Sequence, residues 1–233
     1  MHKSDTTLLI CPTYNPGREF EEWLIALKQQ SLKPDISVII DSTSDDGYVF
    51  LASGFGLRLD TIDKNKFNHG GTRQQAIQNY QGFEYAVFLT QDAILSNEDS
   101  LRNILLPFED EKVAAVCGRQ LPRKKAIAIE RQARLYNYST KSSVRSISDV
   151  EKFGLKTAFI SNSFAAYRIS ALNKVGGFPP DVIFGEDMYV AAKMLEVGYR
   201  VAYAADACVY HSHGYSMLQE FKRYFDMGVF HAR

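Results

Sequence analysis

The sequence predicts an α/β fold: a mostly parallel, Rossmann-like sheet flanked by helices. Three observations carry that expectation. Short apolar runs alternate with helical patterns along the chain. The runs are continuously apolar, as strands covered on both faces must be. No internal repeat and no linker interrupts them, so residues 1–233 read as a single domain.

Leu8-Leu9-Ile10-Cys11, stopping at Pro12, predicts a buried first strand. Phe20, Trp23, Leu24 and Leu27 recur at helical spacing and predict a helix. Ile36 to Ile40 is a second strand, ending at Asp41 and the polar cluster 42–47. A short helix from Tyr48 and a strand near Leu57–Ile62 follow. Gly70-Gly71-Thr72 opens a helix to about Tyr80, with Thr72 as its expected cap. Tyr85 to Leu89 is a fourth strand. Val113 to Val116 is a fifth, after a helix around Leu101. The second half is less regular. Ser139 to Ser148 reads as an exposed loop, and Phe159 to Tyr167 as strand-like, leading to a short helix at Ser170. Gly185-Glu186-Asp187 heads an amphipathic helix through Leu195, ended by Gly198, and a last strand precedes His211.

Composition bounds the function. The chain is 45% apolar and 12% aromatic, as soluble globular proteins are. Its 27 basic and 27 acidic residues cancel, so no global field favours nucleic acid. Cys11, Cys117 and Cys208 are odd in number, far apart and set in apolar runs, which predicts buried reduced thiols and a cytoplasmic location. No apolar run approaches the roughly 20 residues of a membrane span, and the first residues lack a signal-peptide core.

In open α/β sheets ligands bind beyond the carboxyl ends of the strands. The polar residues there are Thr13-Tyr14-Asn15, Asp41 and Gln91-Asp92. A carboxylate at that edge can hold a divalent cation, which neutralises a diphosphate leaving group. Glu186-Asp187 stands 95 positions after Asp92, at a helix start, where a carboxylate can act as general base or simply favour the helix dipole. His211 and His213 alternate on an extended segment and suit a divalent metal. Asn68 to Arg73 is a glycine loop entering a helix, which offers backbone N–H groups to an anion, with Arg73 adding charge. Gly-x-Gly-x-x-Gly, the mark of a nicotinamide site, is absent after the first strand, where Pro12-Thr13-Tyr14-Asn15 stands. The same place lacks the basic glycine loop of a nucleotidyltransferase.

In order, Cys11 to Asn15, Val38 to Ser42 with Asp46-Gly47, His69 to Gln75, Phe88 to Ala93, Gly176 to Phe178, Phe184 to Asp187 and Val209 to Gly214 resemble glycosyltransferase family 2, the inverting enzymes of GT-A fold. Asn68 to Arg73 and Tyr224 to Gly228 are similar to bacterial rhamnosyltransferases of polysaccharide and O-antigen assembly. The resemblance implies a nucleotide-sugar half, 1–118, and an acceptor and catalytic half, 119–233. Pro12, Thr13, Tyr14 and Asn15 would line the nucleotide base and ribose, and Asp41 would hydrogen-bond the base. Arg73 would help hold the nucleotide or its phosphates, and Gln91 and Asp92 would belong to the same nucleotide-sugar site. Asp92, with His211 and His213, would bind Mg2+ or Mn2+. Asp187, beside Glu186, would be the base. The donor would be dTDP-rhamnose and the acceptor a glycan or lipid-linked glycan.

Two departures qualify the resemblance. Thr90 stands where the family's Asp-x-Asp motif has its first acid, so a catalytically silent nucleotide-sugar-binding module is the alternative. The chain also stops inside a segment where Met217, Leu218, Phe221, Tyr224, Phe225 and Val229 form an apolar stripe. That pattern predicts either packing or peripheral contact with the inner face of the plasma membrane, and a sequence cut short of its family's usual length.

Overall fold

The computed structural model describes residues 6–180, 182, 185–211, 218–219, 221–222, 225 and 228–229. The elements run β1 (Thr7–Thr13), α1 (Glu19–Lys28), β2 (Ile36–Asp41), α2 (Leu51–Gly54), β3 (Arg58–Thr61), α3 (His69–Asn79), β4 (Tyr85–Leu89) and β5 (Ile94–Leu95). They continue with α4 (Ser100–Leu105), β6 (Val113–Leu121), α5 (Ala128–Asn137), β7 (Ser143–Arg145), α6 (Val150–Phe153), β8 (Phe164–Arg168), α7 (Ile169–Lys174), α8 (Glu186–Glu196) and β9 (Arg200–Tyr210).

One nine-stranded sheet organises them, in the order β3-β2-β1-β4-β8-β6-β9-β5, with β7 also paired to β9. β1, β2, β3 and β4 are mutually parallel. β8 runs against both β4 and β6, while β9 is parallel to β6 and antiparallel to β5 and β7. Six strands therefore point one way and β5, β7 and β8 the other.

The continuous apolar runs have a direct cause. Leu9 and Cys11 of β1, with Val87 and Leu89 of β4, pack on one face beneath Phe20, Trp23, Leu24 and Leu27 of α1. Leu8, Ile10, Ala86 and Phe88 alternate to the other face, beneath Ala76, Ile77, Leu172, Val190 and Met194 of α3, α7 and α8. Both pleats of each strand must then be apolar.

Two expectations need correction. The serine-rich stretch 139–148 contains β7, whose Ser143, Val144 and Arg145 pair with Tyr203, Ala202 and Val201. Its register is met by backbone hydrogen bonds at a sheet edge, which an apolar pattern does not report. The cap of α3 is Asn68, whose Oδ1 accepts from Gly71 N at 2.8 Å, while Thr72 Oγ1 accepts from Asn68 N at 3.3 Å. Asparagine accepts its own helix's N–H one turn earlier than Thr72 could.

The strand directions set the site. β1, β2, β3, β4, β6 and β9 all end at one edge of the sheet, and the antiparallel β8 begins there. That edge collects Thr13, Asp41, Thr90 to Asp92, Gln120, Asn162 and His211.

Candidate active site

Two adjoining cavities open along that edge. One, of about 560 Å³, is lined by Pro12, Thr13, Tyr14 and Ser42, by Lys64, Asn65 and Phe67 after β3, and by Gln91. The other, of about 370 Å³, is lined by Gln120, Arg134, Tyr138, Asn162, Glu186, Asp187 and His211, among others. His69, Arg73, Thr90 and Asp92 line both and form the passage between them.

In the first cavity Gln91 staples two strand ends together. Its Oε1 accepts from Tyr14 N at 2.7 Å and its Nε2 donates to Tyr14 O at 3.0 Å, fixing the half-exposed Tyr14 ring beside the opening. Asn15 takes a left-handed conformation (φ 42°), its N donating to Ser44 Oγ and its Oδ1 accepting from Asp45 N. It braces the loop after β2 and does not line either cavity. Asp41 is likewise turned inward: it accepts from Thr13 Oγ1 at 3.0 Å, Ser44 N at 2.9 Å and Ser44 Oγ at 2.5 Å. Ser42 takes the lining position that the strand-end rule gave to Asp41.

Trp23 Nε1 donates to Thr90 O at 3.0 Å, and Thr90 N to Ser163 O at 3.1 Å, so the residues after β4 are held from both sides. The Thr90 hydroxyl is enclosed at the passage, without a hydrogen-bond partner among the described residues.

Asp92 and His211 meet across it, Oδ2 to Nε2, at 3.3 Å. The other ring nitrogen, Nδ1, lies 2.8 Å from Gln120 Oε1, and Gln120 Nε2 donates to Ser161 Oγ at 3.1 Å. With its NH2 engaged, the amide presents an acceptor, so Nδ1 carries a proton. Nε2 then faces the carboxylate as an ion-pair donor when the ring is charged, or as a lone pair when it is neutral. Two electron-rich atoms at this spacing fit adjacent ligands of a divalent cation, with Gln120 as the outer group that orients the imidazole. Among the described residues no group of three or more His, Cys, Asp and Glu could hold a metal. Among the described residues Asp92 and His211 thus come together as a pair, and His213 lies outside them.

The glycine motif serves packing more than anion binding. A Cβ on Gly70 would stand 2.1 Å from Pro179 O, so only glycine lets α3 approach that backbone. Asn68 Nδ2 donates to Pro180 O at 2.6 Å, and Phe178 N donates to Gln74 Oε1 at 3.0 Å. This docking carries Arg73 to Glu186, where Nη1 and Oε1 form a buried ion pair of 2.6 Å. Arg73 also donates to His69 O at 3.1 Å and stacks over Phe88. Its charge is therefore spoken for within the protein, while the side chain still borders both cavities.

Glu186 and Asp187 begin α8, directly after Gly185 in a left-handed conformation (φ 82°). Asp187 Oδ2 accepts from Asn162 N at 3.1 Å and Oδ1 from Met188 N at 2.8 Å. Burial pushes its carboxyl up to about 6, with the adjacent Glu186 charge adding to the rise and the two backbone donors and Arg73 opposing it. A carboxyl in that range exchanges protons near neutral pH. Asn162 reaches both acids, since its Nδ2 also donates to Glu186 Oε1 at 3.3 Å, and Tyr167 Oη donates to its Oδ1 at 2.8 Å.

Gln120, Arg134, Tyr138 and Asn162 were missed in the sequence. Gln120 and Asn162 flank apolar strand runs, the same signal that picked out Asp92. Arg134 sits on α5 and Tyr138 directly after it, neither within a motif. The three cysteines are buried and unpaired, and burial raises the Cys117 thiol to about 12.

Comparison with known proteins identifies the family and the fold. Residues 8–176 match the model of the family described as glycosyl transferase family 2. The O-antigen chain rhamnosyltransferase RfbN of Salmonella typhimurium is 51% identical over 225 residues, covering 96% of this chain and 72% of the relative. WbaN of Salmonella anatum, also named an O-antigen chain rhamnosyltransferase, is 48% identical over 225 residues, covering 96% and 71%. Among solved structures, the mannosyltransferase PcManGT of Pyrobaculum calidifontis, in complex with GDP-Man and Mn2+, aligns with TM-score 0.67 at 22% identity. TarS 1–349 of S. aureus, in complex with UDP-GlcNAc, aligns with TM-score 0.69 at 16% identity. The chain is covered to 91% and 92% in these alignments but spans only 58% and 60% of those chains. The likeness places the sheet and helices in the GT-A fold.

Proposed function

The chain belongs to glycosyl transferase family 2, and from that premise we propose that it is an inverting rhamnosyltransferase of O-antigen assembly. The donor in this reading is dTDP-rhamnose, and the acceptor is a hydroxyl of a glycan or lipid-linked glycan. The two relatives at about half identity support the sugar and the process. One observation carries the chemistry: Asp92, His211, Asp187 and the Arg73–Glu186 pair border a single cavity that opens into a second beside Tyr14.

The nucleoside lies in the cavity of Pro12, Thr13 and Tyr14, with Gln91 holding Tyr14 in place and Asn15 and Asp41 bracing the loops beneath. The diphosphate lies at the passage, where the enclosed Thr90 hydroxyl meets a donor oxygen. Asp92 and His211 would hold Mg2+ or Mn2+, which when bound offsets the charge developing on the nucleotide diphosphate. Thr90 contributes no charge there, so the two ligands and the phosphates do that work. His213, two positions after His211 in the sequence, is assigned as a further ligand.

Asp187, beside Glu186, takes the proton of the acceptor hydroxyl as that oxygen attacks the anomeric carbon and the bond to the diphosphate breaks. One displacement inverts configuration. The raised carboxyl is a stronger base than an exposed aspartate, while Asn162 N and Met188 N keep its oxygens aimed. Asp187→Asn is expected to lower transfer by about 10² to 10⁴-fold with donor binding retained. Turnover within a few-fold of the parent would remove Asp187 from this role.

No helix among the described residues is long and apolar enough to cross a membrane. We place the protein at the cytoplasmic face of the plasma membrane, with the exposed Leu218, Phe221, Phe225 and Val229 making peripheral contact. Replacing Phe221 and Phe225 with serine is expected to weaken membrane recovery, read by fractionation.

A further inference from the structure

A second face of the molecule, remote in sequence from the C-terminal stripe, carries an unusual surface. Residues 119–156 hold ten Lys and Arg against three Asp and Glu, a net charge of +7 in a chain whose total is 0, although Arg123 turns to Glu19 and Arg134 to the catalytic cavity instead of to this face. The rest of the protein is therefore net acidic by the same amount. α5 buries none of its residues, and β7, α6 and the turn after it expose apolar side chains in turn. Tyr136 is 75% exposed and Leu155 62%, with Ile129, Leu135, Val144 and Phe153 also open to solvent. Monomeric surfaces rarely gather large apolar groups this densely without use.

Side-chain contacts make the surface continuous. Lys156 Nζ lies 5.5 Å from the centre of the Tyr136 ring, joining α5 to the segment after α6. The Arg145 guanidinium of β7 lies 4.7 Å over Phe153 of α6 and its Nη1 donates to Lys156 O. Basic heads thus alternate with apolar bodies across three elements. On α5, Ile129 and Tyr136 are seven residues apart and share a stripe. Arg134, which lines the catalytic cavity, is about 200° around the helix from Tyr136. One side of α5 faces the reaction and the opposite side faces solvent with the apolar stripe.

We propose that this basic, apolar face docks on an anionic phospholipid bilayer, with α5 lying between the membrane and the catalytic cavity. Charge complementarity selects the occupant: lysines draw anionic headgroups while the aliphatic and aromatic groups enter the interface. Isoleucine, leucine and valine add nothing on a phosphate backbone, so the mixture favours lipid over nucleic acid. The inference goes beyond the sugar-transfer reading and needs no turnover to be tested.

The test is co-sedimentation of the chain with phosphatidylcholine vesicles, with or without about one third phosphatidylglycerol, at low and at about 0.5 M salt. Binding to anionic vesicles is expected to exceed binding to neutral ones by about tenfold or more and to fall with salt. Lys124→Glu with Lys125→Glu and Lys152→Glu should abolish it, as should Ile129→Ser with Tyr136→Ser, both with unchanged circular dichroism. Phe221→Ser with Phe225→Ser, whatever it takes from overall membrane recovery, should leave the preference for anionic over neutral vesicles and its salt dependence intact, which separates this face from the C-terminal stripe. Equal binding to both vesicle types, survival of binding in the charge variant, tighter capture by a DNA duplex, or burial of the face in a dimer would each overturn the proposal. Misfolding of one variant leaves the other, and the lipid comparison on the parent chain, to decide.

Discussion

Asp187 is a carboxylate made basic by its surroundings, and its titration is visible in two ways. The folded carboxyl holds its proton up to about 6, above the ordinary carboxylate range. As base it must be ionised, so kcat/KM should fall by about tenfold per pH unit below 6, with a single-proton slope. A flat profile from pH 5 to 7 would contradict that assignment. Stability runs the other way. A raised acid favours the folded state while protonated, and that contribution is lost as pH rises from the ordinary carboxylate range through about 6. In Asp187→Asn that segment of the stability profile should flatten. Legibility in the sequence differed residue by residue. Asp92 and the Glu186-Asp187 pair were legible because a charge after an apolar run or at a helix start is conspicuous. Asp41 was equally conspicuous, yet its carboxylate is consumed by Thr13 and Ser44. Gln120 and Asn162 carry no charge and belong to no spacing, although they orient His211 and the two acids.

At the scale of elements, α3 and α8 must meet for Arg73 to reach Glu186. Gly70→Ala would drive a methyl into Pro179 O, and is expected to cost roughly 1–3 kcal/mol with loss of activity, measured by denaturant unfolding and sugar transfer. Unchanged stability would show that the helix can shift. Arg73→Ala should cost about 3–5 kcal/mol, because Glu186 would remain buried without its cation. The helices and central parallel strands were readable because β1, β2 and β4 are sandwiched between helices and are apolar on both pleats. β7 was not, since an edge strand of serine, valine and arginine is held by main-chain bonds that leave no hydropathy signature. The cap at Asn68 was also obscured, as Thr72 is an equally good capping residue four positions on.

At the scale of the molecule, strand direction converts a scattered sequence into one site. β6 and β9 run with β1 to β4, so Gln120 and His211 arrive at the edge where Thr13 and Asp92 already stand. The antiparallel β8 delivers Asn162 and Ser163 to the same edge from its start. The order of the strands could not be read from the chain, because the β4–β8–β6 pairing joins segments far apart through contacts that leave each strand equally apolar. What the sequence did carry was the family pattern, from which Thr13, Asp41, Asp92 and His211 stand along this edge. The central claim, that Asp92 and His211 together seat a cation at the donor diphosphate, is tested most directly by calorimetric titration of dTDP with and without Mn2+. Mn2+ should tighten dTDP binding by about tenfold or more in the parent and in Asp187→Asn, and fail to do so in Asp92→Asn and His211→Ala. Equal tightening in all four proteins would contradict it.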